Sequence, residues 1–265
     1  MYSYHVHSTL SDGKHTPEEI VKAAIEAGLV ALGFSDHGFT DGDLSYCMQD
    51  EDAYIREINR LKEAYAGQIQ LYRGVEEDAL CPRQREKFEY IIGSCHYIVK
   101  DGKLLPIDSS PECFEQCLLL FDGDPVALAQ SYYQNFCAYI CRRKPDIIGH
   151  FDLITKYDEP DKRLFLENPQ YTAVAETYVL KALQSGCIFE VNTGAIARGL
   201  RTAPYPQENL LYILRKHNVP IILSSDSHQA DTLTFRFDET KRYLKDIGFQ
   251  KQTVLLDNAF REIDL

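Results

Sequence analysis

The chain has 265 residues, with 28 Lys+Arg against 40 Asp+Glu and a formal charge of −12. Hydrophobic residues make up 45% and charged residues 26%, close to soluble globular averages, so disorder is excluded and a sizeable core can form. A pI near 5.1 excludes a surface built for nucleic acid or anionic membrane, because phosphates would be repelled over most of the molecule.

Short, apolar, β-branched runs alternate with helical-period segments along the chain. Strands are expected at residues 2–6, 30–35, 69–75, 90–94, 146–149, 188–192 and 220–224, and helices at 17–27, 52–66, 125–142, 171–185, 207–217 and 237–245. The first helix carries Thr16 as N-cap, Pro17 at its first position, Glu19 at the capping-box position and Gly28 as C-cap. Near-continuous apolar strands alternating with helices predict a parallel sheet buried on both faces. Seven such strands without a Gly-rich phosphate loop point to an α/β fold of the TIM-like barrel kind rather than a doubly wound sheet. Residues 100–123 lack a clear period and are expected to form a long loop insertion. No repeat or linker interrupts the pattern, so residues 1–265 are expected to form a single domain.

The N-terminus, Met1-Tyr2-Ser3-Tyr4-His5, has neither a basic region nor an apolar run, and no stretch approaches the roughly 18 apolar residues of a membrane span. The eight cysteines contain no Cys-x-x-Cys pair. Cys113/Cys117 and Cys137/Cys141 stand four apart in helical stretches, a spacing of buried, reduced thiols on one helix face. A cytoplasmic protein with no membrane contact is expected.

The informative residues follow the apolar runs. They are His5, His7 and then Asp12; Asp36 and His37; Glu76; His96; His150 and Asp152; Glu190 and Asn192; and Asp226 and His228. Six of the eight histidines lie within a few residues of a strand's C-terminal end, while His15 and His217 do not. In a barrel these ends converge on one face, where such folds place their chemistry. Imidazole and carboxylate donors suit Zn, Mn or Fe, and no thiolate is involved. Residues i and i+2 of a strand point the same way, so His5 and His7 can share one ion, and Asp226 and His228 face together.

His5-Val6-His7-Ser8 with Ser11-Asp12-Gly13, then Ser35-Asp36-His37, Gly74-Val75-Glu76, Ser94-Cys95-His96, Gly149-His150 and Ser225-Asp226-Ser227-His228, in this order, resembles the polymerase-and-histidinol-phosphatase (PHP) family. The likeness covers residues 5–228, nearly the whole chain. Gly149-His150-Phe151-Asp152-Leu153-Ile154-Thr155-Lys156-Tyr157, Glu190-Val191-Asn192-Thr193 and Pro204-Tyr205-Pro206 further resemble its histidinol-phosphate phosphatase branch. The resemblance implies a distorted (β/α)7 barrel with a trinuclear metal centre. His5, His7, Glu76 and Asp226 would hold one ion. Glu76, His96 and His150 would hold a second, with Glu76 bridging, and Asp12, His37 and His228 the third. Asp36, Asp152 and Ser224 are read as supporting groups rather than ligands.

The implied activity is hydrolysis of a small phosphate ester, L-histidinol phosphate, by attack of a metal-bridging hydroxide, with Glu76, Asp226 and His228 at the chemistry. The leaving alkoxide would take its proton from a metal-bound water or from Asp226. Residues 194–201 depart from the branch's usual pattern, so both Arg198 and Arg201 are candidates to bind phosphate, Arg198 first, with His15 a further substrate contact and Lys156 or Arg163 in reserve. Three other readings compete. Another PHP enzyme would act on phosphotyrosine, nucleotides or DNA ends, and the acidic surface argues against DNA. An amidohydrolase-type barrel would need a strand-end metal-bridging lysine, which no strand supplies. The third is a non-catalytic metal-binding protein.

Overall fold

Apolar runs become strands here because each lies between neighbours that bury both of its faces. The computed structural model describes residues 1–41, 43–160 and 164–265. In chain order the elements are β1 (Tyr2–Ser3), α1 (Pro17–Glu26), β2 (Ala31–Phe34), α2 (Glu51–Ala64), β3 (Gln70–Asp78), β4 (Tyr90–Ser94), β5 (Tyr97–Lys100), β6 (Lys103–Pro106), α3 (Pro111–Leu119) and α4 (Pro125–Arg143). There follow β7 (Ile147–Ile148), α5 (Pro169–Ala182), β8 (Ile188–Asn192), α6 (Gly194–Ala197), α7 (Glu208–Lys216), β9 (Ile221–Ser224), α8 (Phe237–Ile247), β10 (Lys251–Leu256) and β11 (Ala259–Asp264).

Seven strands pair in the order β1-β2-β3-β4-β7-β8-β9, every pair parallel. Beyond the last regular residues of β1 and β9 the two chains still meet. His7 N donates to Ser227 O (2.8 Å) and Ser227 N to His5 O (3.1 Å), which closes the barrel at its C-terminal end. The barrel is distorted where β3 passes to β4 through a 3₁₀ turn at Arg85–Lys87 instead of a helix.

The opposite end is plugged by Tyr4, Tyr72, Tyr90, Ile92, Ile147, Ile188 and Ile222, over which β10 lays Val254 and Leu255. Tyr90 fits because β3 passes it with a glycine: a Cβ on Gly74 would lie 2.2 Å from Tyr90 Cζ. Outside the barrel, α1 and α2 bury Ile20, Val21, Ile58 and Leu61 against Leu32, Phe34 and Leu71. Full burial of such a side chain is worth about 1.5–3 kcal/mol, enough to fix these helices on the sheet. The larger cluster under α4, α5 and α7 holds Tyr132, Phe136, Val179, Leu210 and Leu214.

Several expectations change. The first strand is short because the Val6 N–H is taken by the Ser35 side chain (3.0 Å) rather than by a ladder carbonyl. The third runs on to Asp78 because it stays paired with β4 to the end, Asp78 opposite Ser94. Residues 100–123 are not a loop. They complete an antiparallel hairpin, β5–β6, and then form α3. Asp101 and Gly102 both have positive φ, 50° and 75°, the twist a two-residue hairpin needs, and Ser110 caps the helix through Cys113 N (3.2 Å) with Pro111 next. The hairpin β10–β11 was not anticipated. All eight cysteines are free, but Cys141 is exposed and Cys113 only half-buried, so each i,i+4 pair keeps one thiol in the core and the other outside it. No helix among the described residues is long and apolar enough to cross a membrane.

Candidate metal centre

The acidic run Glu76-Glu77-Asp78 shows how strand geometry builds the site. Successive side chains of β3 point to opposite faces. Glu76 turns into the barrel mouth, whereas Glu77 turns outward to α4, accepting from Tyr139 Oη (2.5 Å) and from Arg143 Nε (2.6 Å) and Nη2 (3.0 Å). All three carboxylates are buried.

Around Glu76 stand five imidazoles. Its Oε2 lies 3.2 Å from His5 Nε2, 3.5 Å from His7 Nε2 and 2.9 Å from His37 Nδ1. Its Oε1 lies 3.1 Å from His96 Nε2 and 2.9 Å from His150 Nε2. Asp226 Oδ1 approaches His7 Nε2 (3.4 Å) and His5 Nε2 (3.8 Å) from the other side. At the rim, Asp12 Oδ2 faces His228 Nε2 (3.2 Å) and His37 Nε2 (3.7 Å). All nine side chains named from the sequence as ligands are thus brought together. They fall into four groups whose donor atoms lie within 4.8 Å of one another: His7, Asp12, His37 and His228; His5, His150 and Asp226; His5, His7 and Glu76; and His37, Glu76 and His96. His7 joins the rim group that the sequence reading gave to Asp12, His37 and His228 alone.

A cation fits this arrangement. His5 Nε2, both nitrogens of His7, Glu76 Oε2 and His150 Nδ1 are buried with no hydrogen-bond partner. Buried polar atoms are rarely left so, and here Glu76 Oε2 lies within 3.5 Å of both His5 Nε2 and His7 Nε2. The electrostatics agree. Burial opposes charge on Glu76, yet His5, His37, His96 and His150 hold its carboxyl well below the usual range. Burial likewise disfavours a charged His5, but Glu190, Glu76 and Asp226 raise it well above the ordinary histidine value. Burial, with His228 and His37 beside it, pushes His7 down to about 3. The set of nitrogen and oxygen donors without thiolate is that of Zn, Mn or Fe.

The three carboxylate and hydroxyl groups set aside as supports keep away from the cluster's centre. Asp36 accepts from Ser8 N (2.8 Å) and Ser11 Oγ (2.6 Å), tying down the loop that presents Asp12. Asp152 accepts from Gln207 N (2.9 Å), and Ser224 gives its carbonyl to Thr193 N (3.0 Å).

A cavity of about 330 Å³ opens over the cluster, lined on its far wall by Tyr46, Tyr97, Asp108, Lys156 and Arg198. Arg198 reaches across it to Asp226 Oδ2 (2.9 Å). Arg201 does not reach the cavity: its guanidinium lies over the Tyr205 ring (4.3 Å) and donates to Thr155 Oγ1. His15 is also outside, its Nδ1 accepting from Ala230 N (3.2 Å). Arg163 lies outside the described residues. Asp108 was not expected at the site, and Glu190, noted at a strand's end, was given no role there. Asp108 meets His96 Nδ1 (3.4 Å) and Lys156 Nζ (3.0 Å), and Glu190 meets His5 Nδ1 (2.5 Å). Glu190 stood at a strand's C-terminal end, which was a usable signal. Asp108 lay in the stretch read as a loop.

The chain is similar to several known proteins. A probable histidinol-phosphatase of Schizosaccharomyces pombe is 30% identical over 252 residues, covering 87% of this chain and 81% of that protein. The crystal structure of the HisK protein of Listeria monocytogenes superposes with a TM-score of 0.76 at 20% identity, over 90% of this chain and 99% of that one. A histidinol phosphate phosphatase of Lactococcus lactis, crystallised with zinc, L-histidinol and phosphate, superposes with a TM-score of 0.67 at 18% identity, over 98% of both chains. The PHP domain matches residues 3–194, and the chain belongs to that family.

Proposed function

We propose that this chain is a metal-dependent phosphomonoesterase that hydrolyses L-histidinol phosphate to L-histidinol and phosphate. The observation that carries the reading is the convergence of unpartnered imidazole and carboxylate atoms at the base of a cavity with Arg198 and Lys156 on its wall. The 30% identity with a probable histidinol-phosphatase supports the substrate.

We read three ions into the centre, drawn from Zn, Mn and Fe. His5, His7, Glu76 and Asp226 would hold the first, Glu76, His96 and His150 the second, and Asp12, His37 and His228 the third. When bound, such ions generate a hydroxide nucleophile near neutral pH and supply positive charge for the phosphoryl oxygens. The protein does the rest. Arg198 keeps guanidinium N–H groups beside the Asp226 contact, and a guanidinium fork matches a phosphate dianion. Asp226 and His228 lie side by side (3.6 Å) at the cavity. Burial opposes charge on Asp226, yet Arg198 and His5 hold its carboxyl well below the usual range, so a water at the centre is the proton source for the leaving oxygen. Lys156 is held by Asp108 (3.0 Å) as Arg198 is by Asp226 (2.9 Å), and Arg198 ranks above it as a phosphate contact because its planar fork can bond two oxygens at once.

Residues 1–265 act as one barrel domain in this reading, the terminal hairpin being joined to it by the bond from Tyr4 Oη to Leu255 O (2.7 Å). The partner is a small molecule rather than nucleic acid or membrane, and the setting is the cytoplasm.

The test is phosphate release by protein loaded with Zn or Mn, with L-histidinol phosphate against phosphotyrosine and nucleotide monophosphates. Strong preference for histidinol phosphate is expected, and comparable turnover of phosphotyrosine would sink the substrate assignment.

A further inference from the structure

His5 is held from behind. Glu190 lies on β8, wholly buried, and its Oε1 stands 2.5 Å from His5 Nδ1. Its Oε2 accepts from the main-chain N of His150 (2.8 Å) and from Asn192 Nδ2 (2.9 Å). One carboxylate therefore grips the ring of one expected ligand and the backbone of a second. Glu190 belongs to none of the donor groups and does not line the cavity.

Burying a carboxylate here carries a desolvation cost that an apolar side chain in the same strand would avoid. The contacts explain its presence. A neutral imidazole that donates its Nδ1 hydrogen must offer its lone pair at Nε2. His5 Nε2 is the atom aimed at Glu76 Oε2 (3.2 Å), and it has no hydrogen-bond partner. A carboxylate behind a ligating histidine both fixes the ring and makes the exposed nitrogen more basic.

We infer that Glu190 is a positioning residue of the metal centre: it sets the tautomer and direction of the His5 ring, and so the centre's affinity for a divalent ion, without touching ion or substrate. Glu190→Gln preserves volume but keeps one acceptor oxygen in place of two and loses the charge, whereas Glu190→Ala removes every contact. In competition with a chromophoric chelator, zinc affinity should fall about 10- to 100-fold in Glu190→Gln and at least as far in Glu190→Ala. Histidine ¹⁵N NMR of the zinc-loaded wild-type protein should find His5 protonated at Nδ1 and carrying no proton at Nε2. Wild-type zinc affinity in both folded variants overturns the inference. So does a His5 protonated at Nε2, a result that stands even where a variant does not fold.

The inference rests on the proposed metal centre and not on the substrate. A wild-type protein that binds zinc yet leaves histidinol phosphate intact removes the substrate assignment alone. Unaltered affinity in the variants removes the role of Glu190 alone.

Discussion

The two ends of the barrel treat buried polar atoms in opposite ways. At the closed end, three tyrosines share the core with isoleucines, and each hydroxyl has an acceptor: Tyr4 Oη on Leu255 O (2.7 Å), Tyr72 Oη on Gln70 Oε1 (2.6 Å) and Tyr90 Oη on Tyr4 O (2.6 Å). At the open end, five ring and carboxylate atoms on His5, His7, Glu76 and His150 are buried without a partner. An unsatisfied buried group costs about 1–3 kcal/mol. The tyrosine hydroxyls of the closed end are all satisfied, although Thr253 Oγ1 on β10 is buried without a partner. The open end gives up stability to hold ligand atoms ready for a cation, which is how a site differs from a core built on the same strands.

This contrast can be broken at either end. The largest effect should come from removing the ions themselves. Exhaustive dialysis against chelator should abolish turnover of histidinol phosphate, and added Zn, Mn or Fe should restore part of it. Only neutral imidazole binds a metal, so protons compete with it. Metal content and turnover should both fall on acidification, beginning above the ordinary histidine value of about 6.5, because against burial the neighbouring carboxylates hold His5, His37 and His96 above it. Full activity in protein shown to be free of metal would refute the reading of the open end.

Next comes Glu76, the carboxylate that five histidines face. Glu76→Gln should reduce metal content, measured by elemental analysis, and lower kcat by about a thousandfold or more, an effect of about 4 kcal/mol. A variant with full metal content and wild-type kcat would dismiss Glu76 as the centre of the site.

Arg198 tests the wall of the cavity rather than its floor. Arg198→Ala should raise KM for histidinol phosphate about tenfold, equal to about 1.4 kcal/mol, with metal content unchanged because no ligand is removed. Arg201→Ala should leave KM unchanged, since that guanidinium is committed to Thr155 and the Tyr205 ring. If KM responds to Arg201 and not to Arg198, the assignment of the phosphate clamp is reversed.

The smallest effect on function should come from the closed end. Tyr90→Phe leaves the carbonyls of Tyr4 and Phe34 (2.6 and 2.9 Å from the hydroxyl) without that donor. A loss of about 1–3 kcal/mol in denaturant unfolding is expected, with metal content, kcat and KM as in wild type. Loss of metal in this variant would show that the two ends are not independent.

Much of this was legible from residue order. Histidines and carboxylates after apolar runs announced a strand-end site, because parallel strands with helical crossovers send all those ends to one face. The capping box at Thr16 and Glu19 is formed, each side chain bonding the other's backbone. The stretch from 100 to 123 was misread because a hairpin of four-residue strands and a nine-residue helix are too short to impose a period. Its Asp-Gly turn and Ser-Pro cap were the better guide. The hairpin β10–β11 escaped notice because one strand is buried and the other mostly exposed, so their patterns do not match each other.

By itself the sequence determined the fold class, the family and which residue types would meet at the barrel mouth, since those follow from periodicity and the order of short motifs. It singled out Glu76 over the adjacent, chemically identical Glu77 only through the family resemblance; the physical difference is made by the pleat of β3, which turns one toward the histidines and the other toward Arg143. It ranked Arg198 before Arg201, three residues apart in one loop, on the family resemblance alone. That choice depends on which way α6 and the turn after it aim each side chain, into the cavity or onto Tyr205. Direction in space is fixed by contacts between distant segments, and only the folded chain contains them.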